Sequence, residues 1–585
     1  MTKSQISSFL SYNSLGVPNP EEVEDAMHLA MEAIGVSRFH YMLLILCGMS
    51  WACYYIWIQG LSALGPRIQD DFDVSDAEMK HLPLILFLGM FFGALFWGCF
   101  ADRYGRGIPY VLCIALASIS GFSLVFSPSY TFLCILLFPL GFFITAFTII
   151  DATYLAEFLP RSRQSLILLM GGFYSMGGLV LYLASLFIPP SWPCSTLPED
   201  PEESSPNPPC TPSQRNGWRL VFLVCTMLQC LLFLARLLFC RVRESPLYLM
   251  NRGKYSQAAR VLIQVSKDAG HAVPPAEVQG FAQAWMDPDH LTALNLEQAG
   301  VLGKMGGSRV KKSVAFAPTL VSSLGEEEGE SSVPSSSSSS PLSSLSSTAS
   351  PRLTSMDTVI TGNPTCTSPT SILKPRQSAG VHELSRVSSL ISTAIHVHIY
   401  SFFIAFGSFI LILYLPTYLE YQKDREGLLV EMNAFNTIPS THLLLSTLVC
   451  FPGSFATKYL VTTYLDWKGT FTLGFLITSL SFLLLPMASI PIMRLISLCS
   501  IHFSSIMLYT ILGCYIIRAF PPSLRTRIGG TSGASQHLAI LLVLTMGGPL
   551  TAWGSILPFL LAAGLMLAGA FTTLMLPSFR TPDHV

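Results

Sequence analysis

Gly98-Cys99-Phe100-Ala101-Asp102-Arg103-Tyr104-Gly105-Arg106-Gly107 is the stretch on which the reading of the chain turns. It is a short charged turn between two apolar runs, 82–100 and 108–126. Each run has about the 20 residues that a helix needs to cross a bilayer. Two arginines in a turn this short mark the cytoplasmic side, because Lys and Arg are retained there.

The same pattern extends in both directions. Further apolar runs of spanning length lie at 41–63, 132–150, 166–188 and 220–238, which makes six. After a long polar gap come 399–419, 438–455, 471–490, 495–517, 529–546 and 556–576, six more. The run 529–546 is the least apolar, with a Gly/Ser/Thr-rich first half and Gln536 and His537. Small residues there suit close helix packing in lipid. Composition agrees: 51% of the 585 residues are apolar and 12% charged, about half the charge of a soluble domain. The formal net charge of -1 gives no sign of a nucleic-acid partner.

Of the 34 Lys and Arg, only Arg67, Lys80, Arg215, Arg219, Lys423, Arg425 and Arg494 fall outside when the N-terminus is cytoplasmic. The chain is therefore expected to be an integral, multi-pass membrane protein with both termini cytoplasmic. The first forty residues are polar, with Glu21, Glu22, Glu24 and Asp25, and do not read as a signal peptide. The expected layout is a cytoplasmic segment 1–40, a bundle 41–239, a cytoplasmic loop 240–394, a second bundle 395–577 and a tail 578–585. Within the loop, 245–285 reads as short helices and 321–377 as Ser/Pro-rich and disordered.

Most of the fourteen cysteines, such as Cys47 and Cys514, sit in apolar runs as small hydrophobes. Cys194 and Cys210 share the proline-rich outer loop 189–217, either as a disulfide or as two thiols. No Asn-x-Ser/Thr acceptor is present. Neither a phosphate-binding Gly-rich loop nor a metal-ligand cluster occurs, so no cofactor and no enzymatic chemistry are expected.

The opening stretch resembles the major-facilitator signature Gly-x-x-x-Asp-Arg-x-Gly-Arg-Arg/Lys, with Gly107 in place of the last basic residue. Gly98 permits two helices to touch and Gly105 a tight turn, while Asp102 can face the positive end of a helix from the other half. Tyr154-Leu155-Ala156-Glu157-Phe158-Leu159-Pro160, followed by Arg163 one residue early, is similar to a stretch of the organic-ion transporters and the synaptic-vesicle-two-related proteins. Glu157 is placed to accept from Arg103 or Arg106. Arg243-Glu244-Ser245-Pro246-Leu247-Tyr248-Leu249 resembles an element of sugar and organic-ion porters.

The second half keeps fewer of these marks. Phe451-Pro452-Gly453 is similar to the eighth span of the synaptic-vesicle-two-related group, and Phe520-Pro521-Pro522-Ser523-Leu524-Arg525 to Tyr-Pro-Thr-x-x-Arg. The turn 458–469 keeps only Asp466 and Lys468 of the repeated signature. The resemblance implies an all-α membrane protein of twelve transmembrane helices in two six-helix bundles around a central cavity, working by alternating access. Asp102, Arg103, Arg106, Glu157, Arg163, Glu244 and Arg525 would then lock its cytoplasmic side.

Where the resemblance leads one to expect acidic residues in the first span, Tyr54 and Trp57 stand instead. Asp151 can bind a cation, cycle a proton or make a structural hydrogen bond. His502 in the tenth span is either titratable or packed. Tyr54, Trp57, Tyr174, Tyr414 and Tyr509 are candidates for the solute path, where aromatics with polar tips suit a flat or cationic organic solute; interfacial belts use the same residues. In the loop, Lys312-Ser313-Val314-Ala315-Phe316 fits a docking motif for type-1 protein phosphatase, and Ser371-Ile372-Leu373-Lys374 a second one.

Two functions follow. One is secondary active or facilitative transport of a small organic solute across the plasma membrane or a vesicle membrane. The other is a non-transporting receptor or scaffold on the same fold.

Overall fold

A computed structural model of the protein describes residues 20–185, 217–240, 243–286, 377–426, 439–488, 490–552 and 556–576. The chain divides into two units, 1–301 with 385–585, and 302–384; the second is described only where a long helix begins at Gln377. Cys194, Cys210, Lys312, Val314, Phe316 and the stretch 321–376 lie outside the described residues.

The first half begins with a helix outside the apolar runs, α1 (Pro20–Ile34). Six long helices follow: α2 (Arg38–Phe72), α3 (His81–Tyr104), α4 (Gly107–Val125), α5 (Tyr130–Phe158), α6 (Arg161–Ala184) and α7 (Gly217–Cys240). Three short helices come next: α8 (Pro246–Asn251), α9 (Tyr255–Asp268) and α10 (Ala276–Trp285). The second half holds α11 (Gln377–Glu426), α12 (Pro439–Tyr459), α13 (Trp467–Met487), α14 (Pro491–Ala519), α15 (Pro522–Ala552) and α16 (Leu557–Thr573).

Nine of these helices are long and apolar enough to cross a membrane. Of the rest, α15 carries Arg525, Arg527, Gln536 and His537, and α16 has 17 residues. Large apolar side chains cover the outer surface, with Leu238 73% and Met487 76% exposed. In water such a surface would be a large exposed apolar patch; in lipid it is the solvated face.

The helix ends are set by local chemistry. Ser129 caps α5, accepting from Phe132 N at 3.3 Å. Ser245 caps α8, accepting from Tyr248 N at 3.1 Å, with Pro246 in the first turn, where a missing N–H costs nothing. α2 stops at Asp73, which takes a left-handed conformation (φ 51°). α5 is interrupted at Thr145, where a new helical segment starts at Ala146.

Within the first half α2 packs on α6 and α7, and α3 on α5; within the second α13 packs on α14 and α16. The two halves meet along α3 with α15 and along α6 with α12. At the first of these seams Gly98 faces Gly530. A Cβ on Gly98 would stand 2.8 Å from the Thr526 carbonyl oxygen and 3.0 Å from Gly530 Cα. No side chain fits between the helices there.

Two elements differ from the sequence reading. Residues 20–34 are helical, and α11 begins at Gln377, well before the apolar run from 399. Both segments are too polar to register as spans. Val23, Met27, Met31 and Ile34 nevertheless repeat at helical spacing and are buried, so α1 packs on α9 and α10 beneath the first half.

Candidate functional site

The site has two parts: a charged cluster at one end of the helices and a cavity at the middle.

The cluster is built on the end of α3. Gly105, with φ 109°, turns the chain so that Arg106 folds back onto Asp102. A Cβ at Gly105 would strike Glu244. Arg106 Nη2 donates to Asp102 Oδ1 at 2.9 Å and to the Pro522 carbonyl at 2.7 Å, and Nη1 donates to the Ala101 carbonyl at 3.1 Å. One buried guanidinium therefore ties the first half to the start of α15. Asp102 reaches across as well: it accepts from the Thr526 hydroxyl, and its Oδ2 accepts from Arg527 N at 3.1 Å. The carboxylate thus meets α15 in its second turn, and a hydrogen bond to a charged acceptor is stronger than one between neutral groups.

Glu157 is fully buried with its Oε1 3.3 Å from Arg106 Nε. Neither of its oxygens accepts a hydrogen bond among the described residues, so the contact is a charge pair off the hydrogen-bond direction. Glu244 accepts from the backbone N–H of Arg106 at 2.7 Å, Gly107 at 3.2 Å and Ser245 at 2.9 Å. Burial pushes the Glu244 carboxyl up from its ordinary value, against the pull of these donors. Tyr248 covers the Arg106 guanidinium, 4.7 Å from its ring centre.

The remaining residues of the expected lock are placed differently from one another. Arg525 is buried; its Nε donates to the Phe520 carbonyl at 2.9 Å, while Nη1 has no hydrogen-bond partner among the described residues. Arg103 contributes through its carbonyl, which accepts from Tyr248 Oη at 3.1 Å and Arg252 Nη2 at 3.0 Å. Arg163 is exposed, outside the cluster. Its neighbour Arg161 instead meets Glu24 at 3.2 Å and Asp25 at 3.4 Å on α1. That position follows the loop geometry: the 3-10 turn from Arg161 points Arg163 outward. In the second half Asp466 caps α13, accepting from Gly469 N at 2.6 Å, and Lys468 donates to the Leu574 carbonyl at 2.6 Å. Both stay within their own half.

A cavity of about 170 Å³ lies between the halves. Trp51, Tyr54, Phe87 and Tyr174 face it from the first half, and Phe409, Tyr509, Gln536 and His537 from the second. Tyr54 Oη and His537 Nε2 meet across it at 3.4 Å. A second hollow of about 210 Å³ shares the wall at Gln59, Phe87 and Phe409, and reaches Gly65 and Leu544 at the end away from Asp102.

Four residues expected on the solute path lie elsewhere. Asp151 and Arg236 form a fully buried pair at 2.5 Å. Arg236 also donates to the Ser50 hydroxyl and the Tyr110 carbonyl, its guanidinium 3.7 Å from the Tyr110 ring centre. This ties α2, α4, α5 and α7 together inside the first half. The neighbours Thr148, Ile149, Ala152 and Thr153 take the cavity face instead. Trp57 Nε1 donates to Gln229 Oε1 at 2.8 Å, one position off the stripe formed by Trp51, Tyr54 and Ile58. Tyr414 is buried, but Ala405, Ser408, Phe409 and Ile412 are the residues that α11 presents to the cavity. His502 sits a turn beyond the α14 wall that starts at Ile506. Arg236 and His537 were missed as site residues by the sequence reading. The signals were there: an arginine inside an apolar run, and the polar pair that weakened the eleventh one.

Among the described residues no group of three His, Cys, Asp or Glu side chains could hold a metal ion.

Comparison with known proteins agrees with this architecture. Organic cation/carnitine transporter 7 of Arabidopsis thaliana is 27% identical over 248 residues, 42% of this chain and 44% of its own length. The niacin transporter NiaP of Acinetobacter baylyi is 26% identical over 265 residues, 44% of this chain and 54% of its own. The synaptic vesicle 2-related protein of Rattus norvegicus is 29% identical over 174 residues, 30% of this chain and 32% of its own. The chain thus spans about half or less of the length of these relatives. The solved structure of the proton:xylose symporter XylE bound to 6-bromo-6-deoxy-D-glucose covers 93% of this chain and 97% of its own, with TM-score 0.59 at 15% identity, a likeness of fold. With the family model of the Major Facilitator Superfamily matching residues 41–424, through the very turn that joins Asp102 and Arg106 to the second half, the chain belongs to that superfamily.

Proposed function

We propose that the protein is a secondary active or facilitative transporter that carries a small organic solute by alternating access. The observation that carries this reading is a central cavity between two helical halves, shut at one end by contacts that cross from half to half. Asp102, Arg106, Thr526 and Pro522 form the shut end. None of these contacts is covalent, so a rocking of one half against the other can break them together and open that end. The relatives named above are described as carriers of organic cations, niacin and xylose. They support a solute of that size without identifying it.

In this reading the Asp102 end is cytoplasmic, as are both termini, and the protein resides in the plasma membrane or an intracellular vesicle. The two bundles, 41–239 and 395–577, move about the cavity, and the loop 240–394 links them on the cytoplasmic side. Type-1 protein phosphatase docking at Lys312, Val314 and Phe316 is a separate proposal. It fails if a loop pull-down is unchanged when Val314 and Phe316 become Ala.

The deciding experiment is uptake into liposomes holding the purified full chain, screened over organic cations, anions and sugars with and without a pH gradient. Solute-specific uptake supports transport. Its absence across the panel, with folded protein present, favours the scaffold reading, for which the second-half signature residues Asp466 and Lys468 already speak, since their contacts among the described residues stay within their own half.

A further inference from the structure

The charge carried by the cavity wall narrows the class of solute. We propose that the cavity binds a single-ring aromatic anion, a carboxylate or sulfonate, and disfavours organic cations. The binding claim stands on the cavity itself; only the movement of the bound ring rests on the transport reading.

Among the described residues that line the cavity none is Asp, Glu or Lys, and Arg525 is the one with a permanent charge. Its Nε is occupied by the Phe520 carbonyl, and its buried Nη1 lacks a hydrogen-bond acceptor among the described residues. An unmade charge-assisted hydrogen bond on a buried guanidinium is what a carboxylate or sulfonate oxygen completes. The carboxylates nearby are not among the described residues that line the cavity. Glu157, which acts on Arg525, is shared with Arg106 at 3.3 Å, and Asp151 is held by Arg236 at 2.5 Å. A cation entering this space would shed water with no carboxylate to meet it.

Aromatic faces do attract cations, and Tyr54, Phe87, Tyr174 and Phe409 supply several. The same faces bind a neutral ring by its apolar surface. The arginine decides between the two, because it is the charged side chain among the described residues of the wall. Size sets the ring number. The space of about 170 Å³ is close to the ~150 Å³ of an engineered cavity that takes benzene. Side-chain amides at Gln59 and Gln536 add further donors on the rim.

The test uses four probes of one ring: benzenesulfonate, benzoate, benzamide and phenyltrimethylammonium. Binding to the full chain in lipid nanodiscs is measured by calorimetry, and uptake of labelled benzenesulfonate by liposomes. The two anions are expected to bind at least about tenfold more tightly than benzamide and to outcompete the cation by more. Arg525→Gln is expected to weaken the anions about tenfold while benzamide changes less than about twofold, and Arg525→Lys to keep part of the preference. The wild-type comparison stands even where a variant does not fold. Cation binding equal to or tighter than the anions overturns the inference. So does the absence of any ring binding, or an equal loss of all probes in Arg525→Gln. Anion binding without uptake upholds the inference and counts against transport.

Discussion

Asp102, on the last turn of α3, bonds to a helix that belongs to the other half of the protein: its Oδ2 accepts from the backbone N–H of Arg527 at 3.1 Å, 425 residues away in sequence. The same carboxylate holds Arg106, which reaches on to the Pro522 carbonyl. A single charge therefore joins the halves through a backbone N–H, through the Thr526 hydroxyl and through a guanidinium.

Asp102→Asn removes the charge and keeps the shape. A hydrogen bond to a charged group contributes about 1.5–3 kcal/mol, so the shut arrangement is expected to lose roughly 10- to 100-fold in population. The check is maleimide labelling of a cysteine placed at the Asp102 end, which should speed up, together with slowed solute exchange at equal expression. Unchanged labelling would show that the carboxylate is not part of the closure.

Gly98→Leu acts by volume instead. The Thr526 carbonyl and Gly530 Cα occupy the space a side chain needs, and the first obstacle is backbone. The variant is expected to assemble, because Gly98 faces the other half rather than its own bundle, but to be unable to close at this end. Labelling at the Asp102 end should become constitutive and solute flux should be lost.

Arg236→Ala leaves Asp151 buried and alone. Breaking one side of a buried pair costs about 3–5 kcal/mol, so thermal stability in detergent should fall sharply. The double substitution Arg236→Met with Asp151→Leu is expected to recover much of it, since an apolar pair of similar volume carries no desolvation penalty. Loss of stability in the double variant equal to the single one would mean that the pair is needed beyond its own neutralisation.

The docking of α1 is expected to weaken as pH falls. Burial pushes His28 below its ordinary value of 6.5, so the docked imidazole refuses a proton that the released one accepts. Protons then bind more to the released state, and docking strength falls as pH drops below about 6.5. Glu24 is held below its ordinary 4.5 by His28 beside it, at 3.5 Å, and by Arg161. Its contribution is present above that value and is lost as pH falls further, in the same direction. Limited proteolysis of the α1 segment between pH 7 and pH 5 is the measurement, and His28→Gln should remove the upper part of the response.

Much of the fold was legible because lipid demands it. A span must be apolar for about 20 residues, and the runs at 41–63 or 108–126 have no other plausible home. The turn at Asp102–Arg106 was legible because a glycine, a carboxylate and two arginines at that spacing leave few other readings. The cavity was less so. Tyr54 and Trp57 look alike in sequence, three residues apart, yet one meets His537 across the cavity and the other meets Gln229 within its own half. Asp151 read as a candidate for coupling until Arg236, hidden in an apolar run, turned out to hold it.

Sequence alone determined that this is a membrane protein of the major-facilitator kind and which turn carries the signature charges. Those are matters of composition and local spacing. Only the tertiary structure decided that Glu157 serves Arg106, that Asp151 is withdrawn from the cavity, and that Arg525 is the one permanent charge among the described residues of its wall. Such outcomes depend on the rotation of each helix about its axis. That rotation is set by the packing of neighbours distant in sequence, and helical periodicity gives no hint of it when every face of the helix is apolar.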